Sequence, residues 1–213
     1  MPEGPEVWIL SKAINLFYRK FNTCAYGKHL IIKDKLEGDD IYFDWSFGLT
    51  GKVHIDDKDI IKKVNVGAIY GEQDMSRSKD ELLEGLGICW VHATEEDLQK
   101  VVAKWVGLKR ILGALLLDQS QICGIGVAWG SEILFRVGLK PDVKACEQDL
   151  SGLAKILIEV RDEITKLYFS ELTKVSDVKD FINSWFKNLY EIRVMKVYKK
   201  GTQVKVSSRT WWV

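Results

Sequence analysis

The hydrophobic period of this chain changes once, and that change limits what it can fold into. Up to about Trp90 the apolar residues fall in short strand-like runs: Leu30 to Lys33, Ile41 to Trp45, Lys52 to Ile55 and Val64 to Tyr70. Asp- and Gly-rich turns such as LEGDD and IDDKD separate them, as strands demand. From Thr94 to about Tyr190 the spacing becomes three and four residues. Thr94 reads as the N-cap of EEDLQKVVAKW. KRILGALLLDQ and AWGSEILFRVGL read as two apolar helices joined by SQICGIGV. LSGLAKILIEVRDEITKLYF follows, then SDVKDFINSWFKNLY, capped by Ser176. One helix precedes the strands: Val7, Leu10, Ile14, Phe17 and Phe21 share a stripe from Glu6 to Phe21. The last stretch, VMKVYKKGTQVKVSSRTWWV, alternates around Lys-Lys-Gly and predicts a β-hairpin. The whole predicts an α+β chain in three parts.

A hydrophobic fraction of 46% over 213 residues supports a sizeable core. With 31 basic and 30 acidic residues the bulk charge of +1 names no partner. Cys24, Cys89, Cys123 and Cys146 lie far apart with no C-x-x-C pair, which argues against a zinc site or a disulfide framework. No long apolar run and no charged-then-apolar leader is present, so the expectation is a soluble, intracellular monomer without membrane partner, cofactor or metal.

Charge is concentrated at one place. From Glu191 to Val213 six basic residues (Arg193, Lys196, Lys199, Lys200, Lys205, Arg209) face one acid, a net +5, beside Trp211 and Trp212. Basic residues interleaved with aromatics suit a nucleic-acid contact, although lysines also protect a solvated hairpin edge. GIGVAWG, Gly124 to Gly130, is a glycine-rich turn opening a helix. Its G-x-G-x-x-x-G spacing after a helix is not the dinucleotide fingerprint. A helix–turn–helix unit fits better, either gripping a backbone phosphate through N–H groups or simply turning tightly.

The chain starts MPEGPEV. Pro5 and the acids suit the first turn of a helix. Alternatively, removal of Met1 leaves Pro2 as a free secondary amine. In one order the sequence then presents YGKHLII, SFGLTG, LLLDQSQICGIG with EILFRVGLKP, and the basic ending SSRTWW. Together with MPEGPEV, this set resembles the formamidopyrimidine-DNA glycosylase/endonuclease VIII (Fpg/Nei) family over nearly the whole chain. SFGLTG and TWW are most similar to its endonuclease VIII-like branch.

The resemblance implies an N-terminal β-sandwich domain with a flanking helix (1–92), a helical helix–two-turns–helix (H2TH) DNA-binding domain (93–190), and a terminal zincless β-hairpin finger (191–213). It implies a bifunctional DNA glycosylase/AP lyase that excises oxidised bases from damaged DNA, duplex or single-stranded. Pro2 would be the nucleophile, Glu3 the general acid, and Lys28 an acid/base residue touching phosphate. Glu6 would support the helix start and hydrogen-bond around the amine. Leu49 in SFGLTG would fill the void left by a flipped base, and Arg209 would bind phosphate and assist the last elimination. Gly126 and Val127 in the H2TH turn, and Lys199 and Lys200 in the finger, would contact DNA.

Several residues depart from the family pattern. The finger holds no cysteine, Val127 stands where the family has asparagine, and DMSRSKDELL offers Arg77 without an aromatic for the remaining void fillers. The N-terminal domain is also short. These departures leave two other readings open: a catalytically weakened DNA-binding protein of this fold, and an RNA-binding H2TH module.

Overall fold

The computed structural model describes residues 3–18, 22–46, 51–55, 61–65, 73–76, 78–177, 179–183 and 195–213. The chain divides into two compact units, Met1–Glu84 with Thr165–Arg193, and Gly85–Ile164 with Val194–Val213. No described helix is long and apolar enough to cross a membrane.

In the first unit, α1 (Gly4–Phe17) starts on Pro5, whose missing N–H costs nothing in a first turn. Val7, Leu10 and Ile14 of the stripe the periodicity predicts are buried, but Phe17, at the last turn, is exposed, α1 stops there, and Phe21 lies outside the described residues. Strands β1 (Asn22–Tyr26), β2 (His29–Leu36) and β3 (Asp39–Ser46) follow. They join β6 (Gln73–Ser76) in an antiparallel sheet of order β1-β2-β3-β6. Between β3 and β6, β4 (Gly51–Ile55) pairs with β5 (Ile61–Asn65) as a separate ribbon. β1 and β6, absent from the sequence reading, are short, and neither holds a Val, Ile, Leu, Phe or Trp to mark it as a strand in sequence. β1 is an edge strand, and α1 covers it. The Asn15 amide donates to Thr23 O at 2.6 Å and accepts from Thr23 N at 2.8 Å, which satisfies backbone groups an open edge would expose. Leu30, Ile31 and Ile32 are all buried, so β2 is covered on both faces. The short helix α2 (Lys79–Leu82) follows β6.

The second unit begins with β7 (Ile88–Cys89) and α3 (Glu95–Trp105). Thr94 Oγ1 accepts the Asp97 N–H at 3.1 Å and caps α3 as predicted. Then come α4 (Leu112–Leu116), β8 (Ile122–Cys123) and α5 (Val127–Val137). α4 is shorter than the apolar run KRILGALLLDQ suggests. The parallel pairing of β7 with β8 was not foreseen, because two-residue strands carry no periodic signal. Gly138, at φ 76°, ends α5, and Leu139 N donates back to Leu134 O. α6 (Leu153–Leu172) gives its first part to this unit and its last to the other. Leu98, Trp105, Leu116, Ile133, Leu157 and Val160 lie in the core. Trp90 sits among them and donates from Nε1 to Leu157 O at 3.0 Å.

The terminal hairpin exists but turns elsewhere. β9 (Gln203–Val206) and β10 (Arg209–Trp212) are joined by Ser207–Ser208, with Ser207 at φ 53°. Lys199-Lys200-Gly201 is an earlier turn that leads into the hairpin. The glycine signal marked a turn correctly; the two serines, which are weak turn formers, carry the hairpin itself.

Candidate functional site

Two carboxylates meet at the start of α1. Glu3 and Glu6 are 3% and 0% exposed. Glu6 Oε2 accepts the Glu3 N–H at 2.9 Å, and Glu6 Oε1 accepts the hydroxyl of Tyr168 at 2.8 Å. Tyr168 lies on the part of α6 that belongs to this unit and is fully buried. The sequence reading missed it, because its position on the helix is simply that of a core aromatic. Pro2 itself lies outside the described residues.

Lys28 occupies the two-residue turn between β1 and β2, which Gly27 permits at φ 57°. Its neighbour His29 meets buried Asp44 on β3, Nδ1 to Oδ2 at 2.7 Å. Leu49 and Arg77 lie outside the described residues.

In the second unit the glycine turn is built around two side chains of LLLDQ. Gln119 Oε1 accepts from Gly124 N at 3.0 Å, and its Nε2 donates to Leu117 O and Ile125 O, both at 3.1 Å. Asp118 accepts from the N–H and hydroxyl of Ser120 and from Arg110 Nη1 at 3.0 Å. The Ser120 hydroxyl, with Arg110 second, holds its carboxyl below the usual range. Gly126 then precedes α5 in extended conformation without a side-chain cap, and Val127 is the first helical residue. Neither Gly126 nor Val127 brings a polar side chain to this end of α5.

Arg209 is exposed at the start of β10, opposite Val206. Lys199 and Lys200 are exposed on the preceding turn; Lys200 Nζ donates to Met195 O at 2.8 Å and Lys199 stands over the Tyr198 ring. The hairpin is fastened to α5. Glu132, 1% exposed, accepts from the backbone N–H of Lys196, Val197 and Tyr198 at 3.0, 2.7 and 3.0 Å. Ser131 Oγ accepts from Trp212 N at 3.1 Å. The ring of buried Trp211 fills the space that Cβ atoms on Gly113 and Gly130 would need. Residues 195–213 contain no cysteine, histidine or carboxylate side chain, so the hairpin offers no zinc ligand of its own. Glu3 and Glu6 thus stand together in one unit, where Lys28 also lies. Gly126, Val127, Lys199, Lys200 and Arg209 belong to the other.

No family model matches the chain. Curated relatives do. A formamidopyrimidine-DNA glycosylase of Shewanella sp. (strain W3-18-1) is 25% identical over 111 residues, 52% of this chain and 40% of the relative. Another, from Shewanella denitrificans, is 27% identical over 97 residues, 46% of this chain and 35% of the relative. The matched segment spans about two fifths of these relatives' length. Among solved structures, MutM (Fpg) of Thermus thermophilus superposes with a TM-score of 0.66 at 17% identity, covering 99% of this chain and 96% of that one. Lactococcus lactis Fpg in complex with abasic-site DNA gives 0.65 at 17%, covering 99% and 97%. This chain has the Fpg fold, and the curated relatives it resembles over about half its length are formamidopyrimidine-DNA glycosylases. The mixed α+β architecture read from the sequence holds with that fold. Within the Fpg/Nei fold, the LLLDQ…GIG block owes part of its pattern to Gln119, whose amide ties together the turn between α4 and α5.

Proposed function

We propose that this chain is a bifunctional DNA glycosylase/AP lyase that excises oxidised bases in base excision repair. The observation that supports it most is the start of the chain. In a protein of the Fpg fold, a proline is followed by a buried glutamate whose N–H is held by a second buried carboxylate.

In this reading Met1 is removed and the Pro2 amine attacks the sugar C1′. An α-amino group has a reference pKa of roughly 7.7–8.0, so a useful neutral fraction exists near neutrality. The N-glycosidic bond breaks as the new C–N bond forms. Glu3 donates its proton to the ring oxygen, and the ring opens to an iminium. A secondary amine gives an iminium with no N–H to lose, so it stays cationic and draws electrons from C2′. Loss of a C2′ proton expels the 3′ phosphate, and a second elimination expels the 5′ phosphate. Lys28 serves as acid/base beside the phosphate. Leu49, with Arg77, fills the space of the extruded base. Arg209 binds phosphate and assists the last elimination, and Lys199 and Lys200 add attraction to the backbone. Segments 1–92, 93–190 and 191–213 act as catalytic domain, H2TH domain and zincless finger. The partner is damaged DNA, the protein acts as a monomer, and SFGLTG with TWW resembles the endonuclease VIII-like branch.

A second reading is favoured by one observation. Val127 opens α5, so no polar side chain is available at this position to bind phosphate. A weakened member would bind DNA without turnover. Duplexes carrying an abasic site, an oxidised pyrimidine or 8-oxoguanine separate the two. The enzyme reading expects cleavage that leaves phosphate at both ends of the gap. Binding with every strand intact supports the weakened reading.

A further inference from the structure

We infer that Tyr168 is a positioning residue for the Pro2 amine, acting through Glu6 and the Pro2–Glu3 peptide bond. This rests on the reading of Pro2 as nucleophile.

The path is short. The Tyr168 hydroxyl donates to Glu6 Oε1 at 2.8 Å, and Glu6 Oε2 accepts the Glu3 N–H at 2.9 Å. Glu3 N is bonded to the Pro2 carbonyl carbon. Two hydrogen bonds and one peptide bond therefore separate the tyrosine from Pro2. Proline's ring fixes φ. Once the Pro2–Glu3 peptide plane is held, the ψ torsion of Pro2 is the one soft rotation left to aim its nitrogen.

The Glu6–Glu3 bond is half of a capping box, with Glu3 as N-cap and Glu6 three residues on; helix stability accounts for that bond but not for the buried Tyr168 hydroxyl on the same carboxyl group. Tyr168 and Glu6 are both fully buried, and Glu3 nearly so. A buried carboxylate is costly compared with apolar residues of the same volume. A helix start can be capped by an exposed serine or aspartate at no such cost. Tyr168 comes 162 residues after Glu6 in sequence, on the last turns of α6. Tyr168 makes the orientation of the first peptide depend on tertiary packing as well as on the local cap. Orientation is what a covalent nucleophile needs, since displacement of about 1 Å can cost about 100-fold in rate.

The test uses the Met1-processed protein with Tyr168→Phe, Glu6→Gln and both together. Three quantities are measured: the borohydride-trapping rate on saturating abasic DNA, the affinity for that DNA, and amide hydrogen exchange at Glu3. Tyr168→Phe should slow trapping by about tenfold, the scale of one lost buried hydrogen bond, while DNA affinity stays within about twofold. Exchange at Glu3 should quicken in both single variants. The double variant should trap no more slowly than the slower single, because both act through one carboxylate. Amides of Ile9 and Leu10 report folding of α1. If Tyr168→Phe unprotects those as well, Glu6→Gln alone carries both readouts with the aromatic packing intact. Unchanged trapping and unchanged Glu3 exchange overturn the inference, as does an additive double variant. A wild type that never traps, with Glu3 exchange still quickened by Tyr168→Phe, defeats the lyase reading and leaves the positioning network standing.

Discussion

Trp211 lies so close over Gly130 that a Cβ on the glycine would stand 2.8 Å from the indole Cζ3. Gly113, on α4, faces the same ring, with its Cβ position 3.0 Å from Cζ2. Two helices thus each yield a side chain to admit one tryptophan from the terminal hairpin. The indole, together with the Glu132 carboxylate, ties the hairpin to the helices without a metal ligand from its own residues.

Gly130→Ala tests that packing. In an open helix position the change to alanine gains roughly 0.5–1 kcal/mol. Here the new methyl meets a buried ring, and overpacking typically costs about 1–3 kcal/mol. The expected net is destabilisation, seen as a lowered Tm. In a Trp211→Leu background the sign should reverse, because the ring that blocks Cβ is gone. Equal effects in both backgrounds would show that the ring does not set the cost.

Acid should loosen the second unit. Asp118 is held below its ordinary 3.8 by the Ser120 hydroxyl and Arg110, Asp97 below 3.8 by Thr94, and Glu163 below 4.5 by Arg136. A carboxylate depressed by folding adds stability that is present above its unfolded value and lost as pH falls through the folded one. Thermal stability should therefore be flat near neutrality and fall below about pH 4. Asp118→Asn should lower Tm at pH 7, and its penalty should shrink as pH falls through the depressed value of the folded carboxyl. Melting curves from neutral to acid pH decide it; a mutant penalty that stays constant as pH falls would assign Asp118 a role independent of its charge.

Glu3→Gln separates proton delivery from structure. Glutamine keeps size and polarity but cannot protonate the sugar ring oxygen. Excision of an oxidised base should fall by roughly two to four orders of magnitude, the usual range for a general acid. Strand cleavage at a ready-made abasic site should fall less, because no glycosidic bond remains to break. Gel assays on paired substrates measure both, and equal losses would make Glu3 structural.

Arg209→Ala probes the hairpin. Arg209 is exposed at the start of β10, where a planar guanidinium can pair with phosphate oxygens. Its loss should weaken damaged and undamaged duplex alike and flatten the slope of log affinity against log salt by about one unit. The final elimination should slow, while Pro2 still traps on saturating abasic DNA. Fluorescence anisotropy titrations give the slope; superimposable slopes and unchanged products would leave Arg209 as solvated surface.

Long, strongly periodic elements were legible in the sequence. Val7, Leu10 and Ile14 of the α1 stripe and the Thr94 cap of α3 lie where spacing put them, while Phe17 at the helix end is exposed. Shorter elements escaped. β1 is recognised as a strand only through Asn15 and its pairing with β2, and β7–β8 only through a partner 34 residues away. At the candidate site, Glu3 and Glu6 were legible because a motif carries them. Tyr168 and Glu132 were not, because their importance lies in what they touch: a carboxylate 162 residues earlier and three N–H groups beginning 64 residues later. No local pattern encodes such distances.

The central claim is that the second residue of this chain is the nucleophile. Borohydride reduction during reaction with an abasic-site oligonucleotide, followed by peptide mapping of the crosslink, tests it directly. The account predicts a single adduct on the Pro2 nitrogen, formed only in protein that has lost Met1, since an amide nitrogen has no reactive lone pair. Protein that retains Met1 and traps equally well, or an adduct mapped to a lysine, would contradict it.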